Sequence, residues 1–286
     1  MPTARIPCFS ALWFFWLCLC SGPSLAKPLN AISPRITAIT FSSVNWPATC
    51  RLRIEQERQY LLSKKTYLES RLQQSAPVIR YIGQQLKKMR LPEWLVWLPL
   101  LESSYRSQAI SSAGAAGVWQ LMPETAMRFG LQVSAAQDER VLLTRSTEAA
   151  LRYLQWLADY FAGDWALALA GYNAGEMRIK QAQEKAQQTA YCDLALPAET
   201  QQYVPRLLAL LDIIQHARQY GLNLPDVHAT TMNEGVFSTV IDITPASPLL
   251  MLEAGDADPL IINKTVTGLD MDNHAPDWHK SADSLP

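Results

Sequence analysis

No stretch of this 286-residue sequence is dense in lysine and arginine. That absence sets aside a nucleic-acid binder, which needs a basic stripe or patch. Four histidines, His216, His228, His274 and His279, show neither metal-ligand spacing nor a nearby nucleophile pattern, so zinc and Ser-His hydrolases are both improbable. "DMDNH" (270–274) faintly resembles a set of metal ligands. It lacks the glycine and distal glutamate of an EF-hand loop and reads as a solvated acidic loop, so no metal and no cofactor is expected. There is no fixed-period repeat and no low-complexity tract. Beyond the N-terminus no apolar run is long enough to cross a bilayer.

What is present fits a globular protein with a sizeable core: 49 % hydrophobic and 18 % charged residues. The net charge of −1 conceals an asymmetry, because residues 225–286 carry −8 and residues 1–224 carry +7. A mildly basic body suits an anionic polymer. The first 26 residues read as an export signal: Arg5, then "FSALWFFWLCLC" (9–20), then "SGPSLA" (21–26) with cleavage after Ala26. An uncleaved anchor is the alternative, although the run is short for a membrane span. "LCLC" lacks the small residues that usually precede a lipidated cysteine.

Of five cysteines, Cys8, Cys18 and Cys20 leave with the signal, and Cys50 and Cys192 remain. A disulfide between them is the expectation for an exported chain. Two separate thiols stay open, since sequence does not give the distance between their Cα atoms.

The body patterns as helix almost throughout, so the expected class is mainly α. Residues 54–74 are a polar amphipathic stretch. Ser75 is a candidate cap for 76–90, where Val78, Ile79, Ile82, Leu86 and Met89 share a face. Pro92 opens a buried segment that Pro99 is expected to kink. Ala150, Leu154, Leu157, Ala158 and Phe161 form a second stripe ended by Gly163, Asp164 caps the next helix, and a last helix runs from about Glu199 to Tyr220. In the acidic tail, 237–243 alternates like a strand. The expected divisions are 1–26 signal, 27–90 helical extension, 91–224 catalytic domain and 225–286 tail.

Eight consecutive apolar residues, Trp94 to Leu101, run straight into Glu102. Burying an ionised carboxylate is expensive, and the usual escape is a retained proton, which is the state a general acid needs. On this stretch alone, Glu102 as the polar end of a core helix is the plainer reading. Other segments add weight. "SSAGAAGVWQLMPETA" (111–126) is a small-residue loop leading into Trp119 and Gln120. "ALAGYNAGE" (168–176) ends an alanine-rich helix on Tyr172 and Asn173, and "LPAETQQYVPRLLAL" (196–210) opens the last helix. Small residues let a backbone approach a ligand, and amides and aromatic rings suit N-acetyl sugars.

Together and in order, Glu-Ser at 102–103, Gly-Val-Trp-Gln at 117–120, Tyr-Asn-Ala-Gly at 172–175 and Glu-Thr-x-x-Tyr at 199–203 resemble the family-one lytic transglycosylases. The resemblance covers roughly 50–224. It implies the goose-type, lysozyme-like helical fold and peptidoglycan glycan strands as substrate. It makes Glu102 the single catalytic acid/base, with Ser103, Gln120, Tyr172, Asn173 and Tyr203 lining the cleft. The implied chemistry cleaves the β-1,4 bond between N-acetylmuramic acid and N-acetylglucosamine and leaves a 1,6-anhydro end. The apolar neighbours Trp97, Leu98, Leu100 and Leu101 would keep the acid protonated by desolvation. The resemblance further implies the periplasm of a Gram-negative bacterium, with membrane association and cell-wall or secretion-machinery proteins as partners. Glu124, Glu148 and Glu199 read instead as first-turn residues that complement helix dipoles. Gly171, Met177 and Cys192 depart from the family pattern, and residues 225–286 show no clear carbohydrate-binding repeat. The alternatives are a muramidase that uses water on the same fold and a non-catalytic peptidoglycan-binding or assembly protein.

Overall fold

Proline and glycine punctuate the body into short helical runs, and their apolar faces decide how the runs stack. The computed structural model describes residues 46–187, 190–225, 258, 260 and 261, all within the unit Pro34–Pro286. The expected signal, the strand-like 237–243 and "DMDNH" lie outside the described residues. The helices are α1 (Ala48–Ser63), α2 (Lys65–Gln74), α3 (Ala76–Met89), α4 (Leu98–Ser103), α5 (Pro123–Arg128), α6 (Leu143–Tyr160), α7 (Trp165–Ala174), α8 (Glu176–Ala186) and α9 (Ala198–Gln215). Short 3₁₀ turns span Glu93–Trp97, Glu139–Val141 and Tyr191–Asp193. Among the described residues there is no strand, only isolated bridges such as Ala116 to Leu121. The mainly α class expected from the periodicity is the one observed.

α7 is the centre. Every residue from Ala166 to Asn173 is buried, as befits a helix that is apolar all round, and α6, α8 and α9 pack on it. Asp164 starts it by accepting from the backbone N–H of Ala166 (2.9 Å) and Leu167 (3.1 Å), satisfying two donors that a helix N-terminus leaves orphaned. Gly171 lets Phe161 close on the helix, since a Cβ there would lie 2.9 Å from that ring. α3 buries Ile79, Ile82 and Leu86 and packs on α6.

The terminal helices of the body, α1 and α9, pack together. Arg206 Nε donates to Glu57 Oε2 at 2.6 Å across that interface, both side chains being about nine-tenths buried. A disulfide joins Cys50 in the first turn of α1 to Cys192 just before α9, with the Cα atoms 5.9 Å apart.

Five local expectations are corrected. Glu148, expected in a first helical turn, lies in the second turn of α6, whose first turn holds no acid. The polar stretch 54–74 is broken at Lys64, so that α1 and α2 are separate helices. Ser75 makes no side-chain cap bond; it closes α2 as α3 begins. Pro99 does not kink a helix but sits in the first turn of α4, where a missing N–H costs nothing. α9 ends at Gln215 rather than Tyr220, the remainder of that stretch being turns.

Candidate active site

α4 is only six residues long and all of them are buried, so its place is fixed by packing rather than by helix propensity. It delivers Glu102 at 2 % exposure. Tyr203, one turn into α9 and 1 % exposed, donates its O–H to Glu102 Oε1 in a short hydrogen bond. Burial, then the neighbouring Glu102, pushes the Tyr203 phenol well above its usual range. It therefore stays a neutral donor at any working pH. Tyr172 is shifted the same way, first by burial and then by Glu102, and its O–H donates to the Trp119 carbonyl at 2.7 Å.

The backbone around the acid is strained. Ser104 and Tyr105 follow α4 with φ of 50° and 60°, and Gln120 has φ of 48°. Non-glycine residues in the left-handed region cost on the order of 1 kcal/mol or more each and cluster at functional sites. The loop 109–121 is held by its own side chains. Ser103 Oγ donates to the Val118 carbonyl at 2.8 Å, and Gln120 Nε2 donates to the carbonyls of Ala109 (3.1 Å) and Gly117 (2.9 Å). Trp119, fully buried, donates from Nε1 to Thr147 Oγ1 at 3.0 Å. From behind, Arg140 donates to the carbonyls of Gly114 (2.7 Å) and Leu121 (3.0 Å) and is itself held by Asp138. Gly117 must be glycine: its φ is 80° and a Cβ would sit 1.9 Å from the Arg140 carbonyl oxygen.

A cavity of about 450 Å³ opens beside these elements. Gln120, Tyr172 and Asn173 are on its wall, with Tyr153, Glu176, Arg178, Glu199 and Thr200. Glu102, Ser103 and Tyr203 are not among its lining residues. Tyr172 connects the two groups, since it lines the cavity and its phenol is raised, after burial, by nearby Glu102. Asn173 is locked from both ends, its Nδ2 donating to Glu199 Oε1 at 3.0 Å and its Oδ1 accepting from Thr200 Oγ1 at 2.9 Å. Glu176 accepts from Tyr153 (3.2 Å) and pairs with Arg128 (2.8 Å).

The structure thus brings Glu102, Tyr203 and Tyr172 together and puts Gln120 and Asn173 on the cavity wall. It turns Ser103 inward, fully buried, as a tie between α4 and the loop. Sequence reasoning passed over Tyr153, Glu176, Arg178 and Thr200. Glu176 directly follows the Tyr-Asn-Ala-Gly motif and was available from position alone. Tyr153 was hidden by the apolar stripe of α6. Glu199 does lie in the first turn of α9, yet it also faces the cavity. Among the described residues no cluster of His, Cys, Asp and Glu could hold a metal ion.

Residues 80–194 match the Transglycosylase SLT domain family. Over those residues the chain is similar to a transglycosylase SLT domain. Over 219 residues it is 36 % identical to the membrane-bound lytic murein transglycosylase D of Escherichia coli K12, and equally to that of Escherichia coli O6:H1. Each match covers 75 % of this chain and 47 % of the relative, so the chain spans about half the length of the curated relatives it matches. A solved structure of an inactive mutant of lytic transglycosylase Slt from Pseudomonas aeruginosa shares 28 % identity, with a TM-score of 0.39 over 50 % of this chain and 24 % of that one. The SLT match contains Glu102, Gln120, Tyr172 and Asn173, while Cys50 and Tyr203 lie outside it.

Proposed function

We propose that this chain is a lytic transglycosylase acting on peptidoglycan, with Glu102 as its single acid/base. The observation that carries the reading is the Glu102 carboxyl, buried at the end of α4 and hydrogen-bonded by a neutral Tyr203. A buried carboxyl favours its neutral form, and a neutral acid can protonate the glycosidic oxygen as the bond from muramic C1 breaks. The resulting carboxylate then takes the proton of the muramic C6 hydroxyl as that oxygen bonds to C1. The proton returns to Glu102, no water is consumed, and a 1,6-anhydro end forms.

One carboxyl suffices because the nucleophile belongs to the substrate, whereas an inverting hydrolase needs a second carboxylate to activate water. The other carboxylates near the cavity are already engaged, Glu199 by Asn173 and Glu176 by Arg128. Gln120, Tyr172 and Asn173 would frame the sugars. The Cys50–Cys192 bridge suits an oxidising compartment, which agrees with export to the periplasm. No helix among the described residues is long and apolar enough to cross a membrane. Mass spectrometry of products from purified sacculi tests the reaction: anhydro-muramic ends are expected. Reducing muramic ends would make the chain a muramidase, and no release would make it a binding protein.

A further inference from the structure

A carboxylate from the acidic tail, Asp258, is buried against Tyr67 of α2 and Arg106. The Asp258 side chain is 2 % exposed. Its Oδ2 accepts from the Tyr67 hydroxyl of α2 at 2.6 Å and lies 3.4 Å from Arg106 Nη2. Its Oδ1 accepts from the Leu260 N–H at 3.0 Å, and the Ile261 N–H donates to the Asp258 carbonyl at 3.2 Å, so the segment folds on itself as it docks. Leu260 is fully buried and belongs to the main hydrophobic cluster. A casual surface contact would leave the leucine wet and the carboxylate solvated. Burying both is favourable only where a matching apolar site and matching donors exist.

Those donors lead to the acid. Arg106, which faces Asp258, donates from Nε to the Ser103 carbonyl at 3.1 Å. Arg71, on the same helix as Tyr67, donates to the Ser104 carbonyl in a short bond. Ser103 and Ser104 are the two residues after Glu102, and Ser104 and Tyr105 are the left-handed pair. Strain of that kind persists only where the surroundings over-determine it.

We propose that residues 258, 260 and 261 form a latch on the helical body, and that Asp258 is a positioning residue which fixes Glu102 through Arg106, Tyr67 and the strained turn at 104–105. Its consequence for rate rests on the function proposed above, while its consequence for backbone protection does not. Without the carboxylate, half-exposed Arg106 loses its anchor and the carbonyl of Ser103 loses a fixed donor.

The test uses the full chain, wild type and Asp258→Asn, with folding checked by near-ultraviolet circular dichroism. Amide exchange is read at Leu260, Ser104 and Tyr105, and kcat and KM are measured on soluble glycan strands. The wild-type Leu260 amide should be protected. In Asp258→Asn the Ser104 and Tyr105 amides should exchange at least tenfold faster, with kcat down at least fivefold and KM within twofold. An unprotected Leu260 amide in the wild type would overturn the latch, whatever the fate of the variant. So would a folded Asp258→Asn with unchanged exchange and kcat. If the wild type releases no product while Glu102 is intact, the proposed function falls and exchange alone decides the latch.

Discussion

At the scale of single residues, Glu102 and Tyr203 are joined by a hydrogen bond, and two substitutions test the roles proposed for them. Glu102→Gln keeps the shape of a fully packed site but cannot cycle a proton, so it should fold normally and lose nearly all lytic activity. Activity within about tenfold of wild type, roughly 1.4 kcal/mol in barrier, would remove Glu102 from the acid/base role. Tyr203→Phe deletes the hydrogen bond given to the carboxyl. A donor stabilises the charged form of its acceptor, so its loss lets Glu102 keep its proton to higher pH. The alkaline limb of the rate profile should move upward, and an unmoved or lowered limb would refute the pairing. The burial of Glu102 was legible, because an apolar run ending in a glutamate announces it, whereas its proposed role came from the resemblance carried by the later motifs. The inward turn of Ser103 and the tie of Gln120 to its own loop were not legible. Their partners, Val118, Ala109 and Gly117, are carbonyls whose approach depends on a loop path that no local pattern encodes.

At the scale of elements, the loop 109–121 depends on a strut from outside itself. Arg140 spans Asp138 and two loop carbonyls with a side chain only 8 % exposed. Arg140→Ala strands these groups and should cost about 3 kcal/mol in denaturant unfolding, with Gln120 misplaced as a result. Asp138 is held below its ordinary carboxylate value, mainly by the hydrogen bond from Arg140. A depressed folded value means that its stabilisation is complete above the unfolded value of about 3.9 and is lost as pH falls through the lower folded one. Asp138→Asn should therefore be less stable than wild type near pH 6. The difference should shrink below about pH 4, and a gap constant with pH would contradict the ion pair. Helices with strong periodicity, such as α3 and α6, could be read from sequence. α4 could not be bounded, because six residues whose faces are all buried carry no period, and Pro99 marks a start as readily as a bend.

At the scale of the whole molecule, the bridge between Cys50 and Cys192 closes a loop over a sequence separation of 142. The chain-entropy model gives about 5 kcal/mol for a loop of that size, an upper figure. Cys50→Ser with Cys192→Ser should lower the thermal midpoint markedly, and reductant should do the same to the wild type but nothing further to the double variant. An equal midpoint in all three would show that the bridge does not act on stability. Counting cysteines supplied the pair, whereas their proximity follows from α1 lying on α9, a contact between the ends of the body. Docking of Leu260 was likewise invisible, since one leucine in an acidic tail has no periodic neighbours.

The same bridge alters what a cut in the chain means. Glu102, Gln120, Tyr172 and Asn173 lie inside the covalent ring it closes, while Tyr203 lies outside. A single protease nick between residues 51 and 191 opens the ring without releasing a fragment. Such a nicked molecule would migrate as one band until reduced, and Tyr203 would remain tethered to Glu102.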